Sequence, residues 1–239
     1  MKLRIAYVEE PPFYWTTVDG SVTGADIELA NAVLRAIGVT AIDRVPTTFD
    51  ELLPGVQQGR WDMNVPIFIT PERAQHVSFS LPVWALGDGF LVRPGNPKAL
   101  TGYAALAASS DARLGVIAGQ VQIISAKSAG VGNDKLVVFK NQPEAIAALV
   151  AGEIDAFAAT AIGSRAAAEG NLAVAAVAHE QSPGSPAPMG AFSFASGNHS
   201  LQQAVNNQLR SYLGSPEHRT VVARFGITST EIDAVLSQP

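Results

Sequence analysis

The 239-residue chain has no cysteine. That excludes disulfides, thiolate metal sites and cysteine nucleophiles, and it fits either side of a bacterial inner membrane. Its 16 Lys and Arg residues form no run, and the formal net charge is −5, which argues against nucleic acid as a partner. Long apolar runs are also missing. Ala145–Ala151 and Leu172–Ala178 fall far short of the roughly 20 residues that span a bilayer. No leader pattern is read, because Met1-Lys2 leads straight into a strand. The chain is therefore either cytoplasmic or begins after a removed leader.

Several chemistries lack their residues as well. There is no Gly-x-Ser-x-Gly elbow and no phosphate-binding Gly-Lys-Ser/Thr loop. Gly130-Val131-Gly132 follows no strand, which argues against a dinucleotide site. His76, His179, His199 and His218 have no metal-ligand spacing, and each reads as solvated or packed. No metal or cofactor is expected. Asn198-His199-Ser200 fits a glycosylation acceptor only formally. Glu9 and Glu10 have the form of a general acid pair, but adjacent loop carboxylates are more often solvated.

What is present is apolar content: 47% of residues are hydrophobic and 15% charged. That builds a large core in one large or two small domains. Leu3–Val8 reads as a buried strand. Glu9–Trp15, with two acids, two prolines and three aromatics, reads as a stiff loop displaying aromatic faces. Val18-Asp19-Gly20 signals a turn. Asp26–Ile37 is a helix with an apolar stripe at Ala30, Val33, Leu34 and Ile37, closed by Gly38. Ala41–Val45 is a strand. Thr48-Phe49-Asp50-Glu51 has the pattern of a capping box opening a helix to Gly59, with Pro54 bending it. Trp61–Val65 is a third strand. This alternation implies right-handed crossovers and a parallel sheet, with ligands beyond the carboxyl ends of the strands. Glu9–Trp15, Phe49 and Val65–Arg73 then share one edge.

The stretch Met63–Ile69 runs apolar into Thr70-Pro71-Glu72-Arg73. Thr70 reads as a helix cap and Pro71 as the first helical residue. Arg73 on such a short helix suits a two-bond grip on a carboxylate. Position alone favours a surface ion pair. Val77–Ser80 and Trp84–Val92 read as strands, and Arg93–Pro97 as a crossing between domains. A second α/β series follows: strands at Arg113–Ala118, Leu136–Phe139, Asp155–Ala158 and Leu172–Ala178, with helices near Gln122–Ala129, Asn141–Gly152 and Ala161–Glu169. Ser182–Pro188 reads as the crossing back. Gly190–Ala195 is a returning strand, and Leu201–Leu213, Pro216–Phe225 and Ser229–Leu236 are closing helices. Glu51, Gly59 and Asp62 recur 93 residues later as Glu144, Gly152 and Asp155, which points to two similar lobes.

Taken in order, several of these stretches resemble the periplasmic solute-binding proteins of polar amino-acid ABC transporters, over nearly the whole chain. They are the opening strand with Pro11-Pro12-Phe13, then Gly24-Ala25-Asp26-Ile27-Glu28-Leu29-Ala30, Phe49-Asp50-Glu51-Leu52-Leu53-Pro54, Ile69-Thr70-Pro71-Glu72-Arg73 with Val77-Ser78-Phe79-Ser80, and Gly115–Gly119. The resemblance implies a two-lobed α/β fold of the type II periplasmic-binding class. Each lobe is then a mixed, mostly parallel sheet flanked by helices. Lobe 1 is expected over 1–92 plus 188–239 and lobe 2 over 93–187, joined by crossovers near 89–97 and 182–190. It also implies hinge closure on a ligand, delivery to an ABC permease, a periplasmic location and a monomer.

By the same resemblance Arg73 grips the ligand carboxylate and Phe49 offers an aromatic face. Gly119, Gln120 and Val121 meet the carboxylate from the second lobe, at a helix N-terminus. Amino-acid binders of the family tend to carry an Asp five residues after Asp155, where it meets the ligand's ammonium. Here that residue is Thr160. Pro66 and Phe68 also depart from the small polar residues usual before Ile-Thr. An unpaired ammonium in a closed site is costly. Glu10 is the candidate replacement acid. Glu10, Phe13, Phe49, Phe68 and Arg73 then resemble the set of ectoine-binding members, which take a cyclic amidinium carboxylate. Phe13 and Phe68 have a second reading as core residues. Two alternatives share the fold. One is a cyclohexadienyl dehydratase-like enzyme with Glu10 as proton donor. The other is the sensor domain of a membrane histidine kinase.

Overall fold

The computed structural model describes residues 1–179 and 187–237. The chain begins with β1 (Lys2–Tyr7), a small hairpin of β2 (Trp15–Thr16) and β3 (Val22–Thr23), α1 (Ala25–Ala36), β4 (Ala41–Pro46) and α2 (Leu52–Gln57). It continues through β5 (Met63–Phe68), α3 (Pro71–Ala74), β6 (Val77–Phe79), β7 (Trp84–Ala85) and β8 (Asp88–Val92). Next come α4 (Tyr103–Ala108), β9 (Leu114–Ile117), α5 (Gln122–Ser128), β10 (Leu136–Phe139), α6 (Gln142–Ala151), β11 (Ala156–Thr160), α7 (Ala161–Glu169) and β12 (Ala175–Ala178). The last stretch is β13 (Met189–Ala195), α8 (His199–Tyr212), α9 (Pro216–Ala223) and α10 (Ser229–Leu236).

Two compact units result: Met1–Leu86 with Ala187–Pro239, and Gly87–Pro186. The first crossing lies between Leu86 and Gly87, ahead of the expected 89–97. The expected single strand Trp84–Val92 is in fact two. Trp84–Ala85 pairs with β13, while Asp88–Val92 pairs with β11 and β12. Arg93–Pro97 is therefore a turn inside the second unit, where Arg93 is held to Asp155 at 3.0 Å. The return crossing expected at 182–190 lies largely outside the described residues.

The first unit's sheet has the order β4-β1-β5-β13-β6, with β7 joined to β13. β4, β1 and β5 are parallel, as the alternation of strands and helices requires, and β13 runs antiparallel between β5 and β6. Pro66 lies inside β5, where a missing N–H breaks a ladder. The β5–β13 register shifts beside it, between Ala191 and Ser193, which accommodates the gap. Phe192 and Phe194 of β13 are fully buried with Ile5 and Ile27. The second unit's sheet is β10-β9-β11-β8-β12, with β8 antiparallel to both its neighbours. Phe90, Leu114, Val116, Leu106 and Leu100 pack its core.

Local chemistry explains the elements. α1 buries Ala30, Val33 and Leu34, carries Asp26 and Glu28 in its first turn, and ends at Gly38 with φ +86°. α6 is capped by Asn141, whose side chain accepts from the Glu144 N–H at 2.9 Å. The capping box expected at Thr48 does not form. Thr48 Oγ1 bonds Asp50 at 2.5 Å and Glu51 pairs with Arg60, so a 3-10 turn at Phe49–Glu51 precedes α2. Pro54 is the third residue of α2, in the first turn, where its absent N–H is not needed; that removes the reason for a bend. A true capping box sits at Thr228 and Glu231 instead.

The repeat at 93 residues has a structural counterpart. Asp62 accepts from the Arg4 N–H at 2.7 Å, and Asp155 from the Arg113 N–H at 2.9 Å. The return bonds match, Asp62 N–H to Arg4 O at 3.0 Å and Asp155 N–H to Arg113 O at 2.8 Å. Gly59 and Gly152 both take positive φ, +69° and +78°. The same aspartate locks the same strand entry in each unit.

Candidate functional site

In the first unit, β1, β4 and β5 are parallel, so their carboxyl ends share one edge. Glu10 and Phe13 follow β1, Phe49 follows β4, and Phe68 and Arg73 end and follow β5. Ile69-Thr70-Pro71 fixes Arg73 from below. Thr70 Oγ1 accepts the Arg73 N–H at 3.1 Å, and Pro71 opens α3. The Ile69 N–H reaches Met189 O of β13 at 2.8 Å. Arg73 is not a surface residue, being 7% exposed. One terminal nitrogen donates to Phe68 O at 2.7 Å, and the guanidinium lies 5.3 Å from the Phe49 ring centre. Burial pushes its pKa down to about 10, so it stays charged at neutral pH.

The other residues form a continuous set with it. The Tyr14 hydroxyl donates to Glu10 Oε2 at 3.3 Å. The Phe13 ring is 6.2 Å from both Tyr14 and Trp84, and Trp84 meets the Phe68 ring at 5.1 Å nearly edge-on. Burial, and then the Glu10 charge, hold the Tyr14 phenol well above its usual range, so it remains a donor. The loop Glu9–Trp15 does not display its rings. Phe13 and Tyr14 are 3% and 4% exposed, because α1 draws the loop inward through Ala25 N–H to Pro12 O and Asp26 N–H to Phe13 O, both at 3.0 Å. Glu9 does not pair with Glu10; it accepts from Thr16 N–H and Oγ1 at 3.0 and 2.6 Å.

Sequence reasoning missed three members of this set: Tyr14, Trp84 and Asp26. The Trp84 indole N–H donates to Asp26 Oδ1 at 3.1 Å. For Asp26 the sequence offers only an acid two residues after Gly24 at the start of a helix, and nothing in it points to Trp84.

In the second unit β9 and β11 are parallel. Gly119–Val121 follow β9 and Thr160 ends β11, so Gln120, Val121 and Thr160 share one edge of that sheet. Gln120 and Thr160 are buried, and Val121 is half-buried. Thr160 Oγ1 caps α7 by accepting the Gly163 N–H at 3.0 Å. Directly opposite Thr160 in the ladder is Asp88. The Asp88 carboxyl accepts from Tyr103 and Gln122, each at 2.9 Å, and burial raises its pKa. His179 packs edge-on against Phe90 and Tyr103 at 4.2 and 4.8 Å, and burial pushes its pKa down to about 4. Among the described residues no group of His, Asp or Glu is placed to hold a metal ion. Nor is any helix there long and apolar enough to cross a membrane.

The model of the bacterial extracellular solute-binding proteins, family 3, matches residues 3–226. A probable amino-acid ABC transporter periplasmic-binding protein of Sinorhizobium fredii is 30% identical over 98% of this chain and 79% of its own length. The solved structure of EhuB in complex with hydroxyectoine superposes with a TM-score of 0.88 at 26% identity, covering 99% of this chain and 91% of that one. An ancestral amino-acid-binding protein, described as a precursor of cyclohexadienyl dehydratase, gives 0.82 at 29% identity, over 94% of this chain and 95% of its own.

Proposed function

Because the chain belongs to family 3 of the bacterial extracellular solute-binding proteins, we propose that it captures a small zwitterion with a carboxylate and a delocalised, ring-borne cation, and delivers it to an ABC permease. The observation that carries this reading is Arg73: buried, stacked near Phe49, anchored to Phe68 O, and continuous with a wall of aromatic rings. An Arg held at a helix start beside such a wall suits a carboxylate, whose two oxygens match the planar guanidinium. Phe13, Phe49 and Phe68 then face the cation, each contributing roughly 0.5–2 kcal/mol, and Glu10 supplies the counter-charge. Gln120, Val121 and Thr160 are the second unit's share of the ligand-binding residues. Thr160 has no charge to offer a primary ammonium, which disfavours ordinary α-amino acids. The hydroxyectoine complex of a structural neighbour supports the same ligand class.

The protein acts in this reading as a monomeric receptor without turnover in the periplasm. Its family places it outside the cytoplasm. Thermal unfolding with a ligand panel tests it. A ligand at about 100 times its Kd stabilises the native state by roughly 2.7 kcal/mol. Ectoine and hydroxyectoine are expected to raise Tm, and arogenate to remain unconverted. A rise with standard amino acids alone, or an aromatic product from arogenate, would overturn the reading.

A further inference from the structure

The best-buried acid of the first unit is Asp26, 1% exposed, the second residue of α1. Acids in a first helical turn usually serve the helix's own N–H groups. Asp26 reaches away from its helix to Trp84, with Oδ1 accepting the indole N–H at 3.1 Å. Its backbone N–H meanwhile donates to Phe13 O at 3.0 Å. One residue thus bonds the Trp84 indole and the backbone of Phe13, two neighbours in the aromatic wall.

The surroundings are built for those two bonds. Gly24 has φ +131°, and a Cβ there would stand 2.2 Å from Phe13 O. The backbone of α1 and the Phe13 loop therefore approach at a distance only glycine allows. Gly190 of β13 lies beneath Trp84, where a Cβ would fall 2.0 Å from the indole. The indole rests on that bare strand, meets Phe68 edge-on at 5.1 Å and faces Phe13 at 6.2 Å. The Asp26 bond fixes the direction in which the indole N–H points.

We propose that Asp26 is a positioning residue that sets Trp84 and Phe13 in the aromatic wall, and so sets how strongly that wall prefers a delocalised cation. This rests on the ligand reading above. Asp26 works as a hydrogen-bond acceptor rather than as a charge. Burial holds its carboxyl well above the usual range, the Glu10 charge pushes the same way, and the Trp84 bond only partly opposes them. Its second oxygen is buried and has no partner among the described residues, as suits an acid kept uncharged.

The test uses the full chain with 15N-labelled indole groups. The Trp84 indole resonance is identified by its loss in Trp84→Phe. Asp26→Asn keeps an acceptor of the same shape: its resonance should stay in place, with hydroxyectoine affinity within about twofold of the parent. Asp26→Ala should displace the resonance and weaken hydroxyectoine by about tenfold while changing glutamine far less. An unmoved resonance in Asp26→Ala overturns the proposal, as does an equal loss for both ligands. If Asp26→Ala does not fold, Asp26→Asn decides alone: a displaced resonance, or a tenfold loss of hydroxyectoine, overturns it. If the parent binds no hydroxyectoine, the ligand reading fails by itself, and the resonance in the two variants still decides the positioning role.

Discussion

Replacing Arg73 separates binding from folding. In the native chain the guanidinium donates to Phe68 O at 2.7 Å and lies 5.3 Å from the Phe49 ring centre, and the residue is only 7% exposed. Arg73→Ala leaves the ligand carboxylate with no cation. Removing one member of a buried, hydrogen-bonded charge pair costs about 2–5 kcal/mol. That is a loss of about 30- to 5,000-fold in affinity. Arg73→Lys keeps the charge but loses the planar fork and the stacking on Phe49, a loss of about 1–3 kcal/mol, or 5- to 150-fold. The unliganded protein should respond much less. It loses the bond to Phe68 O, worth about 1.5–3 kcal/mol, together with the other contacts of the guanidinium, but it also sheds a cation that burial already disfavours, as its lowered pKa of about 10 records. Calorimetric titration with hydroxyectoine, beside thermal unfolding without ligand, gives both quantities. Arg73→Ala with a Kd within threefold of the parent would remove Arg73 from the site and refute the reasoning.

Two further predictions follow from other residues. Thr160→Asp restores an acid where amino-acid binders carry one, and Asp keeps the cap that Thr160 gives Gly163; glutamine affinity should rise by about tenfold, and an unchanged Kd would place that side chain away from ligand. Buried His218 accepts the Gly214 N–H on Nδ1, and burial with the Arg219 charge lowers its pKa from 6.5 to about 4. The folded state therefore resists a proton that the unfolded chain takes up below pH 6.5. Its contribution to stability is intact above that pH and declines as pH falls toward 4, by up to about 3 kcal/mol. His218→Gln should flatten the fall in Tm between pH 7 and pH 4.5, and an unaltered fall would count against the neutral buried ring.

Much of this molecule is legible in its sequence, because its strands and helices are separated by residues of strong local preference. Thr70-Pro71 caps α3 as the residue types require, and Asn141 and Gly152 bound α6. The repeat of Asp62 at Asp155 marks one strand lock used twice. Errors arose where tertiary contacts outweigh local preference. Thr48 spends its hydroxyl on Asp50, so its capping pattern is empty. Phe13 and Tyr14 sit in a proline-rich stretch that reads as exposed, yet bonds from α1 pull it into the unit. Trp84 and Asp26 are 58 residues apart, and no local pattern joins them; only the sheet brings β7 over the start of α1. Asp88 was likewise invisible until the ladder set it opposite Thr160. Residue type and order expose a carboxylate grip on a helix, but not the packing of the rings around it.

The central claim is that rings, rather than an acid at position 160, read the ligand's positive charge. Titration of the parent and of Phe68→Leu with hydroxyectoine and with glutamine tests it most directly. The parent should bind hydroxyectoine at least about tenfold more tightly than glutamine, and Phe68→Leu should lose most of that ratio, since one ring is worth roughly 0.5–2 kcal/mol. Tighter binding of glutamine by the parent, or a ratio that Phe68→Leu leaves intact, would contradict it.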